Sequence, residues 1–280
     1  MLQSTTIDSL HPGKHLLVIG SIHGNEKAGS LGIEKFLEHF RGKMEIILKG
    51  GKITCIPYAN WEAWKNNVRY IEHNANRLFN QQGSTTEHHA VHKMKKYIEQ
   101  CDFILDLHTY HFGKGSFLFD DMETREGDTV LQTIPVDQVI LGWNDLYTES
   151  DSGMDTTAYG KSLGIPGTTV ECGYHGDLHA VDVAYNSIIN VGIALGILDG
   201  AIKSPEKTKR RIRMEKIVWK DPNSKFVKHW EHGDKINANE GIYTSGDTLI
   251  KNGPEEKVMI IPFHEATEKD EWFYLGKEEV

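Results

Sequence analysis

Four short stretches of the chain are apolar or β-branched at most positions and are bounded by glycine, proline and polar turns. They are His15 to Gly20 (HLLVIG), Lys52 to Pro57 (KITCIP), Asp102 to Leu107 (DFILDL) and Gly167 to Glu171 (GTTVE). Runs of this kind predict buried strands. The segments between them follow a helical period. Lys27 to Phe40 places Leu31, Phe36, Leu37 and Phe40 near one face, and Thr86 to Cys101 gathers Ala90, Val91, Met94, Ile98 and Cys101 on a stripe. Ala184 to Ile202 reads as a third helix. Strands alternating with helices predict an α/β sheet with helices on its faces, a class whose sites gather at the carboxyl ends of strands.

After Lys203 the pattern changes. SPEKTKRRIRMEK reads as a polar, basic linker, followed by short strand-like pieces punctuated by Gly233, Gly241, Gly246 and Gly253. The chain therefore divides into a domain over residues 1–203 and a small β-rich unit over 204–280. At about 75 residues that unit is modest for independent folding and is expected to pack on the first domain.

Composition narrows the function. With 39% hydrophobic and 25% charged residues in 280, the chain has the balance of a globular protein rather than a disordered or fibrous one. No apolar stretch approaches the roughly 20 residues of a membrane span. The start, MLQSTTIDSLHPGK, lacks the basic and apolar regions of a signal peptide, so a cytoplasmic location is expected. A net charge of −9 offers no field for nucleic acid or an anionic membrane. Cys55, Cys101 and Cys172 are an odd number without a CxxC and read as core thiols. The unusual feature is 15 histidines, which need sorting into ligands and surface residues.

His23 and Glu26, in GSIHGNEKAG, lie just past the first strand at the start of a helix. A spacing of three brings an imidazole and a carboxylate to one side, as two ligands of one zinc ion would require; a solvated helix start is the plain alternative. His108 ends the strand FILDLHTY, has little packing reason to be there, and is the natural third ligand. Asp106, two residues earlier, shares its face and could accept the spare N–H of a ligating histidine, or serve as a loop or cap contact. Glu171 closes a mostly apolar strand, where a carboxylate is costly unless salt-bridged or functional. Two histidines and a glutamate leave a fourth zinc position for water, and a further glutamate can take that water's proton. Arg69, Asn76 and Arg77 lie in VRYIEHNANRLFN, which has no clear period and reads as a loop.

Taken together, GSIHGNEKAG, PYANWEAWKNNVRYIEHNANRLFN, LDLHT and TVECG resemble the succinylglutamate desuccinylase and aspartoacylase group of zinc carboxypeptidase-like hydrolases, in order and approximate spacing over most of the first 200 residues. The resemblance implies one Zn²⁺ per chain held by His23, Glu26 and His108, with Glu171 as the glutamate that activates water. It implies that Arg69 helps hold the developing oxyanion and that Asn76 and Arg77 bind a substrate carboxylate. It implies a mixed, mainly parallel central sheet flanked by helices, with a small C-terminal β domain bordering the site. The implied substrate is a small N-acyl amino acid or similar carboxylate, with no nucleic-acid or membrane partner; a homo-oligomer is left open. The chain departs from the family at Asn74 and Ala75, where Asp and Leu are usual. Where aspartoacylases carry a Tyr and an Arg for a second carboxylate, it offers Tyr159 and Lys161, which weakens the expectation of N-acetylaspartate.

Of the other histidines, His88, His89 and His92 fall opposite the apolar stripe of their helix and are expected at the surface, as are His229 and His232. His175, just after Glu171, is expected at the mouth of the site. The resulting function is a zinc-dependent amidohydrolase. A metallocarboxypeptidase trimming peptides or cell-wall peptides would use the same ligands, and a non-catalytic zinc protein is the reading from another class.

Overall fold

The structure is a computed structural model that describes residues 2–42, 47–120, 129–146, 153–202 and 209–279. Its organising strand is β2 (His15–Gly20), flanked by β3 (Lys52–Ile56) on one side and β4 (Phe103–Tyr110) on the other, both parallel to it. The chain first moves outward through α1 (Lys27–Gly42), then returns past β2 through α3 (Thr86–Ile98). Right-handed crossovers in opposite directions place their helices on opposite faces. Accordingly Ile33, Phe36 and Leu37 of α1 pack with Val18, Leu105 and Leu107, while Val91, Met94 and Ile98 of α3 pack with Leu17, Ile19 and Ile104. The reversal of direction opens a crevice at the carboxyl ends of β2 and β4.

The remaining elements extend this frame. In chain order they are β1 (Thr5–Asp8), α2 (Trp61–Asn66), β5 (Phe117–Asp120), β6 (Gln138–Leu141), α4 (Trp143–Leu146), α5 (Thr156–Ser162), β7 (Gly167–Tyr174) and α6 (Ala180–Ala194), followed by β8 (Arg210–Trp219), β9 (Ser224–Phe226), β10 (Lys235–Ile236), β11 (Gly241–Ser245), β12 (Thr248–Lys251), β13 (Lys257–Ile260) and β14 (Glu271–Glu278). Among the described residues, eleven strands form one mixed sheet in the order β1-β3-β2-β4-β7-β5-β6-β8-β14-β13-β10. A separate small sheet joins β12, β11 and β9.

The sequence expectations need three adjustments. Leu31, expected on the buried face of α1, is 41% exposed, and Ile33 takes its place in the core. The third helix begins four residues earlier than expected and ends at Ala194, where the chain turns through Gly196 with a φ of 71°. Of the expected linker, 204–208 lie outside the described residues, but Arg210 to Lys216 belong to β8, which pairs parallel with β6 and antiparallel with β14. Its alternation explains why: Ile212 and Met214 point into the core, while Arg211 and Arg213, at the alternate positions, pair with Glu279. The C-terminal strands thereby continue the main sheet. The three cysteines are buried and unpaired, as expected.

The loop after β2 passes close to α2. A Cβ on Gly24 would lie 2.0 Å from the Ala63 carbonyl carbon, and the Gly24 N–H donates to the Arg69 carbonyl at 3.0 Å. Gly24→Ala is expected to destabilise the protein by about 1–3 kcal/mol, measured as a lower urea midpoint with unchanged slope.

Candidate active site

The crevice is furnished from both of its strands. Beyond β2, Ser21 adopts a φ of 51°, a left-handed conformation that costs a non-glycine residue about 1–3 kcal/mol. Its hydroxyl donates to the Glu26 carbonyl at 3.0 Å, closing the turn that carries His23 and Glu26 into the crevice. On β4, Asp106 and His108 share a face. The parallel register sets Thr169 beside Asp106 and Glu171 beside His108.

Glu26 stands at the centre. His23 Nδ1 lies 2.8 Å from its Oε1, and Arg69 Nη1 donates to the same oxygen at 2.9 Å. Its Oε2 accepts from the Thr109 N–H at 3.2 Å and lies 2.9 Å from His108 Nδ1. One donor atom from each of His23, Glu26 and His108 falls within 4.8 Å of the others, and all three side chains are buried. The other nitrogen of each imidazole lies beside a side-chain oxygen, hydrogen-bonded for His23 and at ion-pair distance for His108. His23 Nε2 meets Asn74 Oδ1 at 3.0 Å, and His108 Nε2 lies 3.1 Å from Asp106 Oδ2. Such partners set ring orientation and aim Nδ1 into the cluster. The Thr156 hydroxyl in turn donates to Asp106. Asn74 also accepts from the Asn76 N–H at 3.0 Å, capping a 3₁₀ turn over Ala75–Arg77 in the segment expected to be a loop.

Burial and charge act on these groups in different directions. Burial, reinforced by Arg69, lowers His23 to about 4. Burial alone would raise the Glu26 carboxyl, but His23 and His108 hold it well below the usual range. Burial also opposes protonation of His108, yet Asp106 and Glu26 raise it well above an ordinary imidazole. Glu171 is pushed up to about 8 by burial and by the Glu26 charge, and its Oε2 has no hydrogen-bond partner. That oxygen belongs to the residue paired with His108 across β4 and β7, so it lies beside the His23, Glu26 and His108 group.

Around this centre lies a cavity of about 670 Å³. Arg69, Asn76 and Arg77 line it on the side of α2 and the 3₁₀ turn. The C-terminal strands and their loops add Trp219, Ile261, Phe263, Lys269, Glu271 and Tyr274 to its lining.

The family model of the succinylglutamate desuccinylase/aspartoacylase catalytic domain matches residues 12–189. The chain belongs to this family. Desuccinylase/aspartoacylase members are deacylases, so the protein is a hydrolase by membership. Solved structures agree on the fold. A succinylglutamate desuccinylase/aspartoacylase from Rhodobacter sphaeroides superposes with a TM-score of 0.78 at 15% identity, covering 100% of this chain and 89% of that one. A succinylglutamate desuccinylase from a Silicibacter species gives 0.77 at 17% identity, with the same coverage. A product-bound ectoine utilization protein from Ruegeria pomeroyi gives 0.74 at 16% identity over 98% of this chain and 88% of that one. No curated protein sequence matches the chain.

Within this desuccinylase/aspartoacylase chain, the structure brings His23, Glu26, Arg69, Asn76, Arg77, His108 and Glu171 to one cavity, with Asp106 behind His108. Two strands run further than expected, so His108 and Glu171 lie inside β4 and β7 rather than at their ends. His175 sits beside the cavity, its Nδ1 2.8 Å from the Thr109 hydroxyl and its ring edge-on to His111, which lines it. Tyr159 and Lys161 do not reach the cavity. Both lie on α5, whose outer side faces α3: the Tyr159 hydroxyl donates to Glu99 at 2.7 Å, and Lys161 is exposed. His232 is also misplaced by the sequence reading. It is buried, stacked on Phe117 at 4.1 Å and lowered to about 3 by burial. His89, His92 and His229 are exposed, and His88 is half-buried against the Thr85 hydroxyl at 2.7 Å. Asn74, Thr109, His111 and Glu271 are site residues that no motif indicated. Only the resemblance touched Asn74, as a departure.

In metal-free protein, folded Glu171 keeps its proton to about pH 8, while an unfolded glutamate ionises near 4.5. The folded chain therefore binds more protons between those values, and stability falls as pH rises through them, by at most about 1.4 kcal/mol per unit. His23, lowered to about 4, has the opposite sign below 6.5. Between pH 6.5 and 8 His23 no longer contributes, while His108, raised well above 6.5, adds a fall of the same sign that a Glu171 variant retains. Urea midpoints of chelator-treated protein are expected to fall less across that window in Glu171→Gln than in the wild type.

Proposed function

We propose that the protein is a zinc-dependent amidohydrolase that removes the acyl group from an N-acyl amino acid or similar small carboxylate. The observation that carries this reading is the pairing of the buried His23, Glu26 and His108 group with the unpartnered Glu171 oxygen one strand away. Two imidazoles and a carboxylate suit Zn²⁺; the second nitrogen of His23 is bonded to Asn74, and that of His108 lies beside the Asp106 carboxylate, an arrangement suited to metal ligands. A purely structural zinc site would have no use for Glu171 or Arg69. Zinc bound by these residues would supply a Lewis acid for the amide carbonyl and lower the pKa of water.

The protein's own groups then divide the work. Glu171 takes a proton from the attacking water and returns it to the leaving nitrogen as the C–N bond breaks, releasing a carboxylic acid and an amine. Its upward-shifted pKa favours the protonated form needed for the second step, and a nearby divalent cation favours the ionised form needed for the first. Arg69, tied to Glu26, brings positive charge to the oxyanion. Arg77 and Asn76 offer a guanidinium and an amide to the substrate carboxylate. The wall built by the C-terminal strands supports a small substrate over a peptide. Among the described residues no helix is long and apolar enough to cross a membrane, and action in the cytoplasm is part of the same proposal.

Metal analysis with a panel of N-acyl amino acids and short peptides tests the assignment. Stoichiometric zinc with hydrolysis of acyl amino acids is expected; bound zinc with no hydrolysis of any acyl amide or peptide overturns it. Glu171→Gln is expected to lower kcat by at least about 10²–10⁴-fold while zinc remains bound. Near-native turnover in that variant would remove Glu171 from the mechanism.

A further inference from the structure

The C-terminal strands bring an acidic residue into the cavity lining beside the proposed carboxylate anchor. Glu271, the first residue of β14, lies with Oε1 3.5 Å from Arg77 Nη2, and its Oε2 accepts from the Tyr274 hydroxyl at 2.6 Å. Asp270 stands next to it at the cavity edge, held by the Thr267 N–H at 2.7 Å and its hydroxyl at 2.8 Å. Among the described residues the cavity is lined by three cationic side chains, Arg69, Arg77 and Lys269, and by five carboxylates, Glu26, Asp155, Glu171, Asp270 and Glu271. Arg69 is already turned to Glu26, and Lys269 is exposed at the mouth. Much of the remaining wall is aromatic, from Phe119, Trp143, Trp219 and Phe263.

We propose that Glu271 is a charge filter that restricts the site to substrates bearing one carboxylate and disfavours those with a second acidic group. The inference rests on the assignment of Arg77 as carboxylate anchor. One carboxylate can share the Arg77 fork, whose planar donors serve more than one oxygen. A second carboxylate would face Glu271 and Asp270, with Arg69 turned to Glu26 and Lys269 the remaining cationic lining residue among those described, and like charges across an interface suppress the wrong partner. An uncharged side group instead meets the aromatic wall.

The test compares N-acetylmethionine, with one carboxylate, and N-acetylaspartate, with two, on the zinc-loaded enzyme. The wild type is expected to prefer N-acetylmethionine. Glu271→Gln, which keeps the shape and loses the charge, is expected to raise the kcat/KM ratio of N-acetylaspartate to N-acetylmethionine by about tenfold, mainly through KM. Glu271→Asp and Tyr274→Phe, which keep the charge and disturb the packing, are expected to retain the wild-type ratio. An unchanged ratio in Glu271→Gln overturns the filter, as does an equal rise in Tyr274→Phe. Should Glu271→Gln not fold, Asp270→Asn is expected to shift the ratio in the same direction to a smaller extent, and no shift overturns the proposal. If the wild type hydrolyses neither compound, the hydrolase reading loses its support while calorimetric binding still decides the filter. N-acetylaspartate is then expected to gain about tenfold in affinity over N-acetylmethionine on Glu271→Gln; equal gains, or no binding of either compound, overturn it.

Discussion

The site depends on one buried anion. Glu26 lies at the reversal point of the sheet, 2% exposed, where an uncompensated carboxylate would be very costly. Its two oxygens are met by groups from three separate segments: His23 from the loop after β2, Arg69 from the loop after α2, and His108 with the Thr109 N–H from β4. Each of those segments is held in turn by something else, such as the Gly24 hydrogen bond to Arg69 or the Asn74 cap. The loop bearing Arg69 is further tied down by buried Glu87 of α3, which accepts from the Ile71 N–H at 2.8 Å. Satisfying Glu26 therefore fixes the relative placement of the strands and loops that the chemistry needs.

That dependence also explains what the sequence revealed. Strands buried on both faces write themselves as continuous apolar runs, so β2, β3, β4 and β7 were legible, and a histidine or glutamate within such a run stands out because packing gives it no reason to be there. His108 and Glu171 stood out on that basis, His23 and Glu26 by their spacing of three just past β2, and the family resemblance gave Arg69, Asn76 and Arg77 their expected roles. The misses have equally physical causes. In β8 the outward Arg211 and Arg213 pair with Glu279, just past β14, and swamp the alternation of Ile212 and Met214, so a strand looked like a linker. His232 was placed at the surface because its burying partner, Phe117, is distant in sequence. Tyr159 was given a role by position along the chain, but α5 turns it to Glu99. Glu271 meets Arg77 across 194 residues, a contact that no local pattern encodes.

The proposed reactive centre and much of the cavity lining around it thus come from different parts of the chain. The His23, Glu26, His108 and Glu171 cluster sits on the parallel core, braced from both faces. Trp219, Glu271 and Tyr274 sit on antiparallel strands that join that core through β8, and Phe263 on the loop between β13 and β14. Exchanges in those outer strands can alter the size, polarity and charge of the chamber without disturbing the ligand geometry. Chemical step and substrate choice are then free to diverge at different rates, and one hydrolytic centre can be inherited intact while its clientele changes.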